Sequence, residues 1–476
     1  MITRCFGTTR RTVYRCRMYS SSNHEDGAVL FLSPTSWPQP NATAAGTRTM
    51  ALLRHFAESS DSPFSSVHFG CGARMPASLA KQASDHEQSC RIKWHKIKAN
   101  RGQDLKELLE SIGSIRAVIF DRFYSEEAFS FRVREVCPDA LLVLDMQDIH
   151  SLRIGRQCMV DEMTAHHEGP KLSTDLVESV MSFDPANNLS QPQERLSKRK
   201  LKAADSYIRE LASVHRCDMT LVCSPAEIQL MRRWGVSEDR MTLAPFFCEP
   251  NSGTSMPAFD ERADFVTVGG FKHPPNVDSV MLLMNEIWPK IRARLPGAKM
   301  NIYGAYPTQS ILSLDNEALG FRVHGHVKDL DEVLRKSRVL LAPLRYGAGI
   351  KGKIVDAWRN ECPVVTTPIG SEGIGDARNW GGLVSTNSDD FADAAVRLYT
   401  DQAEWERRSA VGRSLRQRLF EGQANLQVVR KNIDSAIADM HTKRRTNIVG
   451  SMLWHQSNRS TEYFSRWIEL KESKQG

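Results

Sequence analysis

Residues 346–358 read YGAGIKGKIVDAW, and three kinds of phosphate chemistry fit that string. Gly347-x-Gly349-x-x-Gly352 has the glycine spacing of a dinucleotide fingerprint, where the backbone meets a pyrophosphate at a helix N-terminus. Gly347-x-x-x-x-Gly352-Lys353 follows a nucleoside-triphosphate loop up to its last position. The third reading is a glycine-rich turn that opens a helix in a nucleotide-sugar site.

The triphosphate loop needs Ser or Thr after its lysine to hold Mg²⁺, and position 354 is Ile. The dinucleotide fingerprint opens the first βα unit of its domain, with an acid at the end of the next strand. Here the string comes late, after several strand signals, and the next strand, PVVTTP, ends in threonines; Glu372 lies beyond it. The physics common to all three readings remains. Glycines let the backbone approach a ligand, and a helix N-terminus offers free N–H groups and partial positive charge to an anion. Lys351 and Lys353 stand where the helix dipole disfavours cations, which favours a bound anion, and a diphosphate is the natural guest. Gly370-Ser371, after the following strand, is a further candidate for backbone contacts to phosphate.

The elements that must position these residues alternate. AVLFLS (28–33), RAVIF (116–120), ALLVLD (140–145) and MTLVCS (219–224) read as short buried strands separated by helical patterns. A Pro- and Gly-containing stretch, 248–263, reads as a linker, after which the alternation restarts with FVTVGG, AKMNIYG, RVLLAPL and PVVTT. Between 160 and 197 periodicity is weak and turn formers are frequent, the pattern of an insertion or a loop. Two βα-repeating halves predict an α/β protein of two doubly wound, Rossmann-like parallel-sheet domains facing a central cleft. The expected divisions are a leader at 1–25, a first domain at 26–250, a second at 251–445, and a C-terminal helix within 446–476 that docks back on the body.

Composition narrows the function classes. The net charge of +7 is concentrated at the N-terminus, where Arg4, Arg10, Arg11, Arg15 and Arg17 precede any acid; the near-neutral remainder argues against nucleic-acid binding. That Arg-rich, acid-free leader reads as an organelle transit peptide or as a disordered leader, so the localisation expected is organellar (mitochondrion or plastid) in the first case and cytoplasmic in the second. No run of about 18 apolar residues predicts a transmembrane segment, and peripheral membrane contact stays open. The ten cysteines are scattered singly, and neither they nor His324 and His326 have metal-site spacing with a third ligand nearby.

The segment APLRYGAGIKGKIVDAWRNECPVVTTPIGSEGI resembles the donor-site segment of retaining glycosyltransferases of the GT-B fold, in the large family 4. VGGFKHPPNVDSV is similar to the start of that family's C-terminal domain, and FDRFYSEEAFSFRVREVCPDALLVLDMQDIHSLR to its N-terminal domain. The resemblance implies transfer of a sugar from a nucleoside-diphosphate donor to an acceptor hydroxyl of a glycan, lipid or protein with retained configuration, without a cofactor or metal; a catalytically silent nucleotide-sugar-binding protein and an epimerase or hydrolase on the same fold are the alternative readings. It also implies roles. In the family a Glu-x7-Glu motif spans this loop and helix; its second acid, on the ribose, corresponds to Asp356, while Ala348 stands where the first acid belongs. Lys351 and Lys353, with Gly349, Gly352, Gly370 and Ser371, are expected at the donor. The Arg/Lys pair that many members aim at the phosphates is replaced by Gly270 and Pro275, leaving Lys272 and His273 as substitutes. Gly46 and Thr47 fall in the first βα loop, and Asp148, His150 and Arg122 follow strands at the ends where the family contacts sugar. Asp148 has a second reading, as the cap of a helix beginning near Ser151.

Overall fold

Two runs of apolar, β-branched strands build two all-parallel sheets. The computed structural model describes residues 27–40, 43–59, 62–76, 80, 92–98, 102–166, 169–190, 197–249, 255–375, 379–455 and 467. The first sheet consists of β1 (Gly27–Ser33), β2 (Phe64–Cys71), β3 (Ile92–Lys96), β4 (Ile115–Asp121), β5 (Leu141–Asp145), β6 (Met219–Val222) and β7 (Met241–Leu243). Its order is β3-β2-β1-β4-β5-β6-β7. The second contains β8 (Ala263–Val268), β9 (Met300–Tyr303), β10 (Phe321–Gly325), β11 (Ser337–Ala342), β12 (Val364–Thr366) and β13 (Gly382–Val384), in the order β10-β9-β8-β11-β12-β13. Strands such as β1 and β5 are buried along their whole length, as parallel strands covered by helices on both faces must be. The expected α/β architecture of two Rossmann-like sheets is what the chain adopts.

Each sheet reverses its strand order once, between β1 and β4 and between β8 and β11. Crevices at the carboxyl ends of strands on either side of such a switch take ligands. The chain leaving β11 at Ala342 runs directly into Gly347–Gly352, so topology sets the glycine loop at the second switch point.

Three segments differ from the sequence-based picture. Over 160–197, where an insertion or a loop was expected, a helix forms at Thr174–Ser182, N-capped by the Ser173 side chain. Its Leu176, Val177 and Val180 are buried with Ile369, Leu344 and Phe391 of the second domain, a partner surface that local periodicity does not reveal. The stretch VDSVMLLMNEIWPKIRARL (277–295), whose apolar spacing reads as one long amphipathic helix, runs as Pro274–Leu282, a π-helical turn at Leu283–Ile287, and Trp288–Arg294. Pro289 follows that turn; lacking an N–H and crowding the carbonyl four residues back, proline favours such a local rewinding. Finally, the chain crosses back at Glu421–Gly422, where Gly422 N–H donates to Cys248 O at 3.0 Å. The helix Gly422–Thr446 then lays Leu426, Val429, Ile433, Ala436 and Met440, at helical spacing, into the core of the first sheet. This crossing precedes the expected division at 445. The next helix, Ile448–His455, docks Gly450 and Trp454 against the backbone at His215–Arg216. The leader lies outside the described residues. No helix among those described is long and apolar enough to cross a membrane.

Candidate functional site

The glycine loop is buried between the two sheets. Gly349 has φ +65°, and a Cβ there would lie 3.1 Å from the Asp148 Cβ, so glycine is required both by the backbone and by the close approach of the first domain. A Cβ on Gly352 would stand 2.8 Å from Ala44 Cβ. Ala348, in place of an acid, packs against the apolar cluster of the first domain.

The helix Gly352–Arg359 has no side-chain cap at its N-terminus, and its dipole faces the cleft. The two lysines of the loop diverge. Lys351 turns back to donate to Gly349 O at 2.7 Å and lies in the field of Glu372. Lys353 donates to Asn276 Oδ1 at 2.8 Å, in a recess lined by Thr267, Gly269, Phe271 and Tyr303 at the end of β8. Desolvation brings the Lys353 ammonium down to about 8. Asp356 lies one turn further along, 3.7 Å from Arg359, and burial with Asp331 nearby pushes its carboxyl up to about 6 against the pull of Arg359.

Across the cleft, Asp148 accepts from Arg153 Nε at 2.7 Å and stands 3.2 Å from His150 Nε2. Against the cost of burial, Arg153 and His150 hold that carboxyl well below the ordinary range. Asp148 does not cap the helix His150–Met163. Glu210 does, accepting from the N–H groups of His150 at 2.6 Å and Ser151 at 3.1 Å, while Glu227 takes Ile149 N–H at 2.9 Å. These carboxylates close that helix end to any other anion and leave the Asp148–His150–Arg153 group facing His273, Lys351 and Lys353. Arg122 pairs with Asp121 at 2.7 Å. Arg122 and Gln147, both with positive φ, sit just past β4 and β5, where strain of this kind collects at functional sites.

Other predicted residues have local partners. Gly46 N–H donates to the Thr43 hydroxyl at 3.0 Å and the Thr47 hydroxyl to Pro40 O at 2.7 Å. Gly370 N–H donates to Thr367 Oγ1 at 3.3 Å, and a Cβ on Gly370 would overlap Thr366 Oγ1. Ser371 Oγ reaches Pro368 O at 3.4 Å. Lys272 is exposed, with its ammonium 3.8 Å from the centre of the Tyr306 ring. His324 bonds to Asn301 and stacks on Tyr303. Sequence reasoning passed over Arg156, Glu210 and Glu227. Their partners lie far away in the chain; the signal available was only that a helix such as PAEIQLMRR places an acid in its first turn.

Residues 262–401 match the family model for glycosyl transferases, group 1. The group 1 match thus covers β8 to β13 and the glycine loop. A 115-residue stretch is 29% identical to an uncharacterized 44.6 kDa protein in the cps region of Klebsiella pneumoniae, covering 23% of this chain and 30% of that protein. The chain thus spans less than a third of that relative's length. Among solved structures, Anabaena HepE in complex with UDP and glucose superposes with a TM-score of 0.59 at 11% identity, over 86% of this chain and 100% of HepE. Sucrose-phosphate synthase of Thermosynechococcus elongatus gives 0.60 at 13% identity, over 87% and 99%. A glycosyltransferase of Rickettsia africae gives 0.57 at 9% identity, also over 87% and 99%. These likenesses establish the two-domain GT-B fold.

Proposed function

We propose that the chain is a glycosyltransferase that moves a hexosyl unit from a nucleoside-diphosphate sugar to an acceptor hydroxyl, with retention of configuration. One observation carries the reading: at the switch point of the second sheet, an uncapped helix N-terminus and the half-buried Lys353 converge on a recess opposite the Asp148–His150 pair. The group 1 match over the same segment, and the nucleotide in the HepE complex, support it.

On this reading the donor diphosphate lies against the N-terminus of Gly352–Arg359. Negative charge grows on the departing nucleoside diphosphate as the sugar leaves. A fixed helix dipole and a lysine in a water-poor site stabilise that charge without reorganising, so no metal is needed. Asp356 is the acid for the ribose hydroxyls. His150, oriented by Asp148, faces the sugar, and the acceptor enters along the strand ends of the first domain. The acid position that could hold a covalent nucleophile beside the donor loop is Ala348, and apolar packing fills it. Retention then proceeds on one face of the sugar, with the leaving phosphate accepting the acceptor's proton.

The test is incubation of the full chain with UDP-, GDP- and ADP-glucose, with and without a panel of glycan and lipid acceptors, followed by proton NMR of the new linkage. An α-linked product from an α-linked donor is expected. A β-linked product removes the retaining assignment. Sugar release without acceptor points to a hydrolase, and thermal stabilisation without turnover to a silent binding protein. No stabilisation by any nucleotide removes the donor site itself.

A further inference from the structure

The glycine loop belongs to the second domain, yet the groups that fix its backbone come from the first. Arg156, on the helix His150–Met163 and only 2% exposed, donates through Nη1 to Gly347 O at 2.9 Å. The same guanidinium makes a two-pronged pair with Glu372, 2.7 Å on each side, just past β12. Against desolvation, Arg156 holds the Glu372 carboxyl below its ordinary value, so the pair is ionic. Two residues along the loop, Gly349 N–H donates to Glu227 Oε1 at 2.9 Å. That oxygen also accepts Ile149 N–H from the first domain at 2.9 Å, and Glu227 is 3% exposed. A single carboxylate oxygen therefore joins the loop after β5 to the loop after β11. Gly349 has no side chain of its own to resist, and its positive φ is free to be set by these two anchors.

We infer that Arg156 and Glu227 are positioning residues for the donor loop, so that the phosphate-facing backbone of the second domain takes shape only when the first is seated against it. The inference rests on the donor-site reading above and adds to it a dependence on the opposite domain. Both residues act through Gly347 and Gly349 rather than on the donor. Glu372 completes the device from within the second domain: Arg156 holds it beside Lys351, which in turn donates to Gly349 O at 2.7 Å. Removing either anchor leaves a buried partner unmatched, the Gly349 N–H in one case and the Glu372 carboxylate in the other.

The experiment measures the Kd of UDP, GDP and ADP by calorimetry, together with the melting temperature, for the full chain and for Glu227→Ala, Glu227→Gln, Arg156→Ala and Arg156→Lys. Glutamine keeps an oxygen that can accept both N–H groups, whereas lysine cannot reproduce the guanidinium fork. For a nucleotide that the wild type binds, Glu227→Ala and Arg156→Ala are expected to weaken binding by about tenfold or more, and Arg156→Lys by a smaller factor. Glu227→Gln is expected within about threefold of wild type. A purely structural role would lower the melting temperature and leave Kd unchanged in the folded protein; that outcome overturns the inference. So does Glu227→Gln binding as weakly as Glu227→Ala. If the alanine variants fail to fold, the contrast between Arg156→Lys and Glu227→Gln decides, and equal affinities overturn the inference. A wild type that binds none of the three nucleotides removes the donor-site reading and this inference with it.

Discussion

At the carboxyl ends of the first sheet, polar and charged side chains are matched to one another or to backbone N–H groups. Arg48 grips both oxygens of Asp145, Arg122 pairs with Asp121, Arg153 and His150 share Asp148, and Glu210 and Glu227 are taken up by backbone N–H groups. At the same ends of the second sheet stand glycines, an uncapped helix and Lys353, whose ammonium meets an amide oxygen rather than a carboxylate. Paired charges in a dry setting fix geometry, and on the proposed donor-site reading a cation without a carboxylate is where the anion binds. The two halves of the cleft thus divide the work: one supplies a rigid polar wall, the other a receptive one. Substitutions within the first wall should be read out in stability, except at Glu227 and Arg156, whose contacts reach the donor loop, and those in the second in donor affinity.

Arg48→Ala gives the largest expected effect. Arg48 is 2% exposed, donates to both oxygens of Asp145 at 2.7 Å and also holds Ala244 O at 2.8 Å. Its loss leaves a buried carboxylate supported by the weaker amide donor of Gln147, and breaking such a pair costs about 3–5 kcal/mol. Urea unfolding should show that loss. A change below about 1 kcal/mol would mean that the wall is not held by its ion pairs.

Much of this contrast was legible in the sequence only on the second side. The glycine loop, its lysines and the strand before it are contiguous, so their chemistry survives reading along the chain. Asp148, His150 and Arg122 were legible by position, but the partners that fix the first side lie far apart: Arg48 and Asp145 are separated by 97 positions, and Glu210 and the His150 N–H it takes by 60. An arginine on a helix looks the same whether solvent or another domain's carboxylate faces it. The same blindness hid the helix Thr174–Ser182, whose apolar face is covered by the second domain rather than its own. Buried strands, by contrast, declare themselves locally because parallel sheets demand continuous apolar runs, and so the central strands of both sheets could be read in advance, while β2, β3, β7 and β13 went unread. Asp148 shows how position can mislead: it sits where a cap belongs, but Glu210, 60 positions away from the N–H it takes, does the capping.

Lys353→Ala is the complementary test. Turnover with a nucleotide sugar should drop at least about tenfold, equivalent to about 1.4 kcal/mol, while unfolding stability holds or rises, because a lysine that desolvation has depressed is no asset to the folded chain. The sign with pH follows from the same shift. The folded-state value near 8 lies below the ordinary 10.5, so the folded chain loses this proton first and stability from this group increases as pH rises from about 8 to 10.5. Donor affinity moves the other way, weakening as the ammonium is lost above pH 8, and Lys353→Arg should flatten that profile. Kinetics unchanged in Lys353→Ala would sink the phosphate assignment and, with it, the receptive half of the comparison.

The smallest expected effect tests where the receptive wall stops. Lys272 is the cation that sequence position offers as a substitute for the family's missing phosphate ligands, yet its ammonium lies over the Tyr306 ring. Tyr306, with φ +60°, reaches across to Gln39 of the first domain at 3.3 Å, so the lysine stands on a bridge between domains rather than in the recess around Lys353. An exposed contact of this kind is worth about 0.5–1 kcal/mol. Lys272→Ala should therefore change nucleotide Kd by no more than about threefold, and Tyr306→Leu should do the same. If Lys272→Ala instead matches the loss in Lys353→Ala while Tyr306→Leu is silent, the lysine leaves its ring to meet the donor. The receptive wall would then extend from the glycine loop across the loop after β8.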